Sequence, residues 1–204
     1  IGLSSAPPLL MIQGLGADKH LWDLQRYYFA ARYRVIAHDN RGAGRSDKPF
    51  GAYSLEQMAD DAIAVLDHAG IDSAHVVGAS MGGAITQIIG VKYPDRVRSL
   101  SLVCTACRNH PWRRDLLASW AEVAADKGMN AMTMEAARWV IGPRSLRLLW
   151  PAVSLLRPIV TSRASHGFKG QVQALLSVDE DIAEQLSTIT VPTSVIVGNQ
   201  DILT

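Results

Sequence analysis

The stretch HVVGASMGGA contains Gly78-Ala79-Ser80-Met81-Gly82, residue types and an order suited to nucleophilic acyl transfer. A serine hydroxyl is a weak nucleophile at neutral pH. An enzyme that uses one must therefore hold it beside a base and beside hydrogen-bond donors aimed at the oxyanion that forms. The G-x-S-x-G spacing is weak evidence alone. Here, however, a Val-rich run at 74 to 79 passes directly into a helical pattern with Ala84, Ile85, Ile88 and Ile89 on one stripe. In that context the motif forms a sharp turn that lifts the serine above the end of a strand. Glycine is expected at 78 and 82 because a side chain there would strike the neighbouring strand or helix. Ser80 would stand at the N-terminal end of its helix, where the partial positive charge favours a developing anion.

Two backbone donors are expected. One is the N–H of Met81, the residue after the nucleophile. The other should come from a loop that follows an earlier strand, and Gln13-Gly14-Leu15-Gly16 has that position, with the Leu15 N–H as donor and Gly14 and Gly16 shaping the loop around the substrate. A dinucleotide-binding loop is excluded there, since Lys19 occupies the place of the third glycine.

Apolar β-prone runs alternate with helical patterns along most of the chain, which predicts a doubly wound, mostly parallel α/β sheet. Strands are predicted at 8 to 13, 33 to 39, 74 to 79, 97 to 104 and 193 to 199. Ser54 with Gln57 forms a capping box. The helix it starts keeps Met58, Ala62, Val65, Leu66 and Ala69 in register until Gly70. Residues 107 to 186 break the alternation: helical stretches such as DLLASWAEVAADK and AMTMEAARWVI are interrupted at Gly142-Pro143, Pro151 and Pro158. Trp112, Trp120, Trp139 and Trp150 all lie in this segment. The expected organisation is a core at 1–106 and 187–204 with a helical lid inserted at 107–186.

With these elements placed, the chain resembles the α/β-hydrolase superfamily, in particular its serine esterases, enol-lactonases, C–C hydrolases and non-metal haloperoxidases. Four stretches carry the resemblance in order: QGLG, HDNRGAGRSDKP, VGASMGG and ITVPTSVIVGNQD. Gln13 departs from it, standing where many members have His, as does Ser194, where an apolar residue is usual. The resemblance implies an acyl-enzyme on Ser80 and makes Asp201, after the last strand, the acid that orients a histidine. It also implies that Trp120 and Trp139 of the lid contact substrate, and that the loop of Asp39, Arg41 and Asp47 is structural. Epoxide hydrolases and haloalkane dehalogenases carry Asp at the elbow, so Ser80 argues against both.

In such enzymes the general-base histidine follows the acid. His20, His38, His68, His75, His110 and His166 all precede Asp201, so the base is expected beyond Thr204, in a chain that reads as shortened at both ends. His38 and His75 lie in predicted strands and read as satisfied or surface histidines. The expected activity is hydrolysis of an ester, thioester or lactone of a small, largely apolar substrate, with no metal and no organic cofactor. Three alternatives remain: C–C bond hydrolysis of ring-cleavage products, cofactor-free haloperoxidase or perhydrolase chemistry, and a non-catalytic ligand-binding protein on the same fold.

Composition narrows the partners. The 204 residues are 48% hydrophobic with a net charge of +1, which gives no global pull toward nucleic acid. No apolar run is long enough to span a membrane, and no export signal appears in a chain that begins at Ile1, so a cytoplasmic location is expected. Between Cys107 and Leu175, ten Lys and Arg stand against four acids, a local excess that reads as a solvated basic face or as attraction of an anionic substrate. Cys104 and Cys107 form a C-x-x-C without a second pair for zinc, and are expected to pack at a strand end.

Overall fold

A computed structural model describes residues 1–142, 145, 147–148, 164–177 and 181–204. Trp150, Pro143, Pro151 and Pro158 lie outside them. The five predicted strands are present as β1 (Pro8–Ile12), β2 (Arg34–Ala37), β3 (Ala74–Ala79), β4 (Val97–Val103) and β5 (Thr193–Ile196). All pair in parallel, in the order β2-β1-β3-β4-β5. Each predicted strand except β3 is a residue or more too long at its C-terminal end. The surplus residues, among them Gln13, His38 and Cys104, turn away from the ladder to build the rim above it.

Side-chain alternation explains why helices cover both faces. Leu10 and Ile12 of β1 join one core with α2 (Leu55–His68) and α3 (Met81–Lys92), through Met58, Leu66, Ile85 and Ile89. Leu9 and Met11 point the other way and meet Val35 and Trp22, next to α1 (Asp23–Phe29). Burying each such aliphatic side chain stabilises the fold by about 1.5–3 kcal/mol. Ser54 caps α2 as expected, its Oγ accepting the Gln57 N–H at 3.0 Å.

Between β4 and β5 run α4 (Pro111–Asp126), α5 (Met129–Val140), α6 (Ser165–Leu176) and the short α7 (Asp181–Gln185). Leu117, Trp120, Met129, Met132, Phe168 and Val172 from these helices belong to the same buried cluster as β1 and α2, so helices and sheet share one continuous core. Among the described residues no helix is long and apolar enough to cross a membrane.

The strand order reverses between β1 and β3, because β2 lies on one side of β1 and the later strands on the other. In open parallel sheets a crevice forms at the carboxyl ends of the strands flanking such a switch. Here those ends are Gln13-Gly14 after β1 and Ser80 after β3.

Candidate active site

Ser80 joins β3 to α3 with φ 54° and ψ −118°, one of two non-glycine residues with positive φ among the described residues. Such a conformation costs about 1–3 kcal/mol and persists only where its surroundings enforce it. They do so here through four bonds. The Ser80 N–H donates to the Val103 carbonyl at 2.9 Å, and the Ser80 carbonyl accepts from Gly83 N, Ala84 N and Thr105 Oγ1 at 2.9, 3.2 and 2.8 Å. A Cβ on Gly78 would collide with the Gly82 carbonyl, and one on Gly82 with the Ile12 carbonyl. Strand, helix and β1 are thus closer than any other residue would permit.

The loop after β1 presses on the same turn. A Cβ at Gly14 would lie 3.1 Å from Ser80 Cβ and 3.7 Å from its Oγ. The Gly14 N–H donates to Gln13 Oε1, and the Gly16 N–H to Gln171 Oε1, each at 2.8 Å. Asn40 Nδ2 donates to the Gln13 carbonyl at 2.8 Å. Gly14 and Gly16 therefore shape the loop while their N–H groups are engaged. The N–H groups of Leu15 and Met81 have no acceptor among the described residues.

Asp201 follows β5. Its Oδ1 accepts the N–H groups of Leu203 and Thr204 at 2.9 and 3.2 Å, and its Oδ2 accepts Thr204 Oγ1 at 2.7 Å. Burial works against its charge, yet these bonds, with the Cys104 thiol, hold the carboxyl below its ordinary range. Cys104, the second residue with positive φ, donates its N–H to the Ile196 carbonyl at 2.8 Å. Burial and the neighbouring Asp201 push its thiol up. Ser80 is bonded to Val103, and the next residue, Cys104, to β5 and Asp201, so one rim of backbone carries the serine and the carboxylate. Cys104 and Cys107 are both free thiols, with Cys104 just past β4.

None of the six histidines bonds to Ser80 or Asp201 among the described residues. His20 meets Asp23 at 3.3 Å, His75 meets Ser99 Oγ at 2.7 Å, His166 Nε2 donates to the Lys48 carbonyl at 3.0 Å, and His68 and His110 are exposed. His38 differs from its expected state: it lies just past β2, and neither ring nitrogen, though buried, has a partner. Burial outweighs the attraction of Asp61 and Asp39 and lowers its pKa.

The Asp39 loop is a structural knot. Asp39 accepts Lys19 N, Lys19 Nζ and Arg45 N at 2.8, 2.8 and 2.9 Å, while Arg41 pairs with Asp61 through two bonds of 2.6 and 2.7 Å. Trp120 is 5% exposed and packs within the core, whereas Trp139 is 36% exposed. Three residues escaped sequence reading: Thr105, which fixes Ser80; Gln171, which fixes the Gly16 loop; and Arg113, buried in the first turn of α4.

A serine lifted from a strand into a helix, beside a loop with a free N–H and at the switch point of a parallel sheet, is the arrangement of one fold family. The family model for the alpha/beta hydrolase fold matches residues 7–135, and the chain belongs to that family. It is 30% identical to 3-oxoadipate enol-lactonase 2 of Acinetobacter baylyi over 206 residues, which covers 100% of this chain and 74% of that protein. The enol-lactonase from Burkholderia xenovorans LB400 superposes with a TM-score of 0.88 at 25% identity, covering 97% of this chain and 75% of that one. A thermophilic esterase from Thermogutta terrifontis, in a malate-bound structure, gives a TM-score of 0.85 at 26% identity, covering 95% and 71%.

Proposed function

We propose that the protein is a serine hydrolase that opens an ester, thioester or lactone of a small substrate through an acyl-enzyme on Ser80. The observation that carries this reading is the enforced backbone of Ser80, packed against Gly14 with the unengaged N–H groups of Leu15 and Met81 nearby. Ser80 Oγ attacks the carbonyl carbon, the negative charge moves to the carbonyl oxygen, and these two N–H groups receive it. Asp201, already ionised by its own hydrogen bonds, orients the histidine that takes the serine proton and later returns it to the leaving oxygen. The six histidines of this chain are engaged or placed elsewhere, so the base is assigned to a histidine outside these 204 residues. Among these three substrate classes a lactone is favoured, because two of the relatives described above are named as enol-lactonases.

The test is covalent labelling by a fluorophosphonate, mapped by mass spectrometry. Labelling of the 204 residues is expected to be slow, to accelerate with added imidazole, and to vanish in Ser80→Ala. Labelling that survives Ser80→Ala would remove Ser80 from the mechanism. Turnover of p-nitrophenyl acetate near an ordinary enzymatic rate of about 10 per second without imidazole would place the base within the chain.

A further inference from the structure

Beside the elbow lies a run of buried polar groups that the proposed chemistry does not use. The peptide unit joining Gln13 to Gly14 is held at both ends: its carbonyl accepts Asn40 Nδ2 and its N–H donates to Gln13 Oε1, each at 2.8 Å. The same carbonyl faces the elbow, because a Cβ on Gly82 would lie 2.8 Å from it. A peptide unit is planar, so only the two Gly14 torsions separate this one from the next, which carries the Leu15 N–H. That next unit is itself tied, its Gly14 carbonyl accepting the Ala17 N–H at 3.3 Å. Asn40, 2% exposed, thus grips the root of the loop from the far side of β1.

Half of the Asn40 amide is left over. The Gln13 carbonyl can only accept, so Asn40 turns its nitrogen there and its oxygen elsewhere. Among the described residues this buried Oδ1 accepts nothing, and both buried ring nitrogens of His38 have no partner either. Buried polar groups are ordinarily paired, so two orphans on one short loop call for a reason. Asn40 is also the side chain that offers a hydrogen bond to a charged His38 ring. The charged groups facing that ring are Asp61 of α2, Asp39 of the same loop and Lys19 of the 3-10 turn before α1. Each is already engaged, Asp61 with Arg41 and Asp39 with Lys19. The acceptor left unfilled for a proton arriving on the ring is Asn40 Oδ1.

We infer that Asn40 is a positioning residue for the Leu15 donor and that His38, acting through Asn40 Oδ1, makes the placing of that donor depend on pH. A neutral imidazole has one N–H, whereas an imidazolium has two and can direct one of them to the amide oxygen. The new bond draws the amide toward the ring, and the Gln13 carbonyl follows Nδ2. Burial lowers the His38 pKa from 6.5, so the arrangement described above holds near neutrality and gives way as pH falls through that lowered value. The inference rests on the hydrolase reading only in treating Leu15 as an oxyanion donor; the coupling is read without any reaction.

The test follows the backbone amides of Gly14 and Leu15 and the His38 ring protons by NMR in the 204-residue chain, from about pH 7.5 to about 5.0, where histidine changes charge. The two amides are expected to shift with the midpoint of the ring, below 6.5. In His38→Gln, which cannot titrate, that shift is expected to vanish. In Asn40→Ala the ring should still titrate while the amides no longer follow it. Imidazole-assisted labelling of Ser80 at neutral pH should also slow about tenfold in Asn40→Ala, against about 10²–10³ for outright loss of an oxyanion donor. A Leu15 amide that stays still over this range, that keeps moving in His38→Gln or that still follows the ring in Asn40→Ala overturns the inference, as does unchanged labelling of Asn40→Ala. Should Asn40→Ala fail to fold, His38→Gln carries the test. Labelling of the parent is read separately: labelling with a still amide leaves the hydrolase and removes the coupling, and coupled amides without labelling do the reverse.

Discussion

Gln171 Oε1 accepts the Gly16 N–H at 2.8 Å, joining two residues 155 positions apart. The same amide donates from Nε2 to the Arg41 carbonyl at 2.7 Å, so one fully buried side chain of α6 ties together the loops after β1 and β2. Gln171→Leu orphans both backbone groups, at about 1–3 kcal/mol each. The expected result is a lower urea midpoint. Under conditions where the variant stays folded, imidazole-assisted labelling of Ser80 should slow about tenfold, since the loop that carries the proposed Leu15 donor loses its anchor and outright loss of an oxyanion donor costs about 10²–10³. Unchanged labelling would make Gln171 a structural tie only.

Ser80→Gly is expected to raise stability while abolishing labelling. A φ of 54° with ψ of −118° is the mirror image of an extended conformation, which glycine occupies as readily as its opposite. Relief of about 1–3 kcal/mol of strain should exceed the roughly 0.5–1 kcal/mol of extra chain entropy. Urea unfolding of both forms checks the sign, and a loss of stability would mean the serine is not strained.

Trp120→Ala should cost about 3–5 kcal/mol, because the indole fills the core shared by α4 and the sheet. Trp139→Ala, partly exposed on α5, should leave the unfolding midpoint nearly unchanged and alter preference among fluorophosphonates of different alkyl chain length in the labelling assay. Equal stability losses would place both indoles in packing alone.

Acid should weaken the fold before it protonates the structural carboxylates. His38 and His75 have pKa values lowered by burial below the ordinary 6.5, so the unfolded chain binds protons that the folded one refuses. Stability is then full above about pH 6.5 and falls as pH drops, by at most about 1.4 kcal/mol per pH unit for each histidine. Asp39 and Asp201, whose values are lowered in the fold, add their losses only further down, as pH falls below the ordinary carboxylate range. Urea midpoints at pH 7.5 and 5.0 should converge in His38→Leu relative to the parent.

The strands, the elbow and the Ser54 cap were legible in the sequence because each is set by residues a few positions apart: alternation in β1, the glycines around Ser80, the Ser54–Gln57 spacing. Strand ends were read too long because composition cannot show where the ladder yields to a turn, as at Cys104. Gln171 and Arg113 were illegible for another reason. A glutamine in an amphipathic helix and an arginine in a basic stretch look like surface residues, and only the closing of α6 and α4 over the loops buries them. The same holds for His38, whose isolation depends on neighbours from three separate segments.

The pairing of β4 with β5, Leu100 opposite Thr193, has a consequence for how such a molecule can change over generations. Closing a long loop depends on its length only logarithmically, so halving or doubling the chain between those two strands shifts the closure term by about 0.6 kcal/mol. Chain length in that interval can therefore vary at little entropic cost, provided that Leu117, Trp120, Phe168 and Gln171 keep their places in the core they share with the sheet. The elbow glycines, each fitted against a specific carbonyl, allow almost no variation. Length is free to drift in the first region while the geometry of the turn stays fixed in the second.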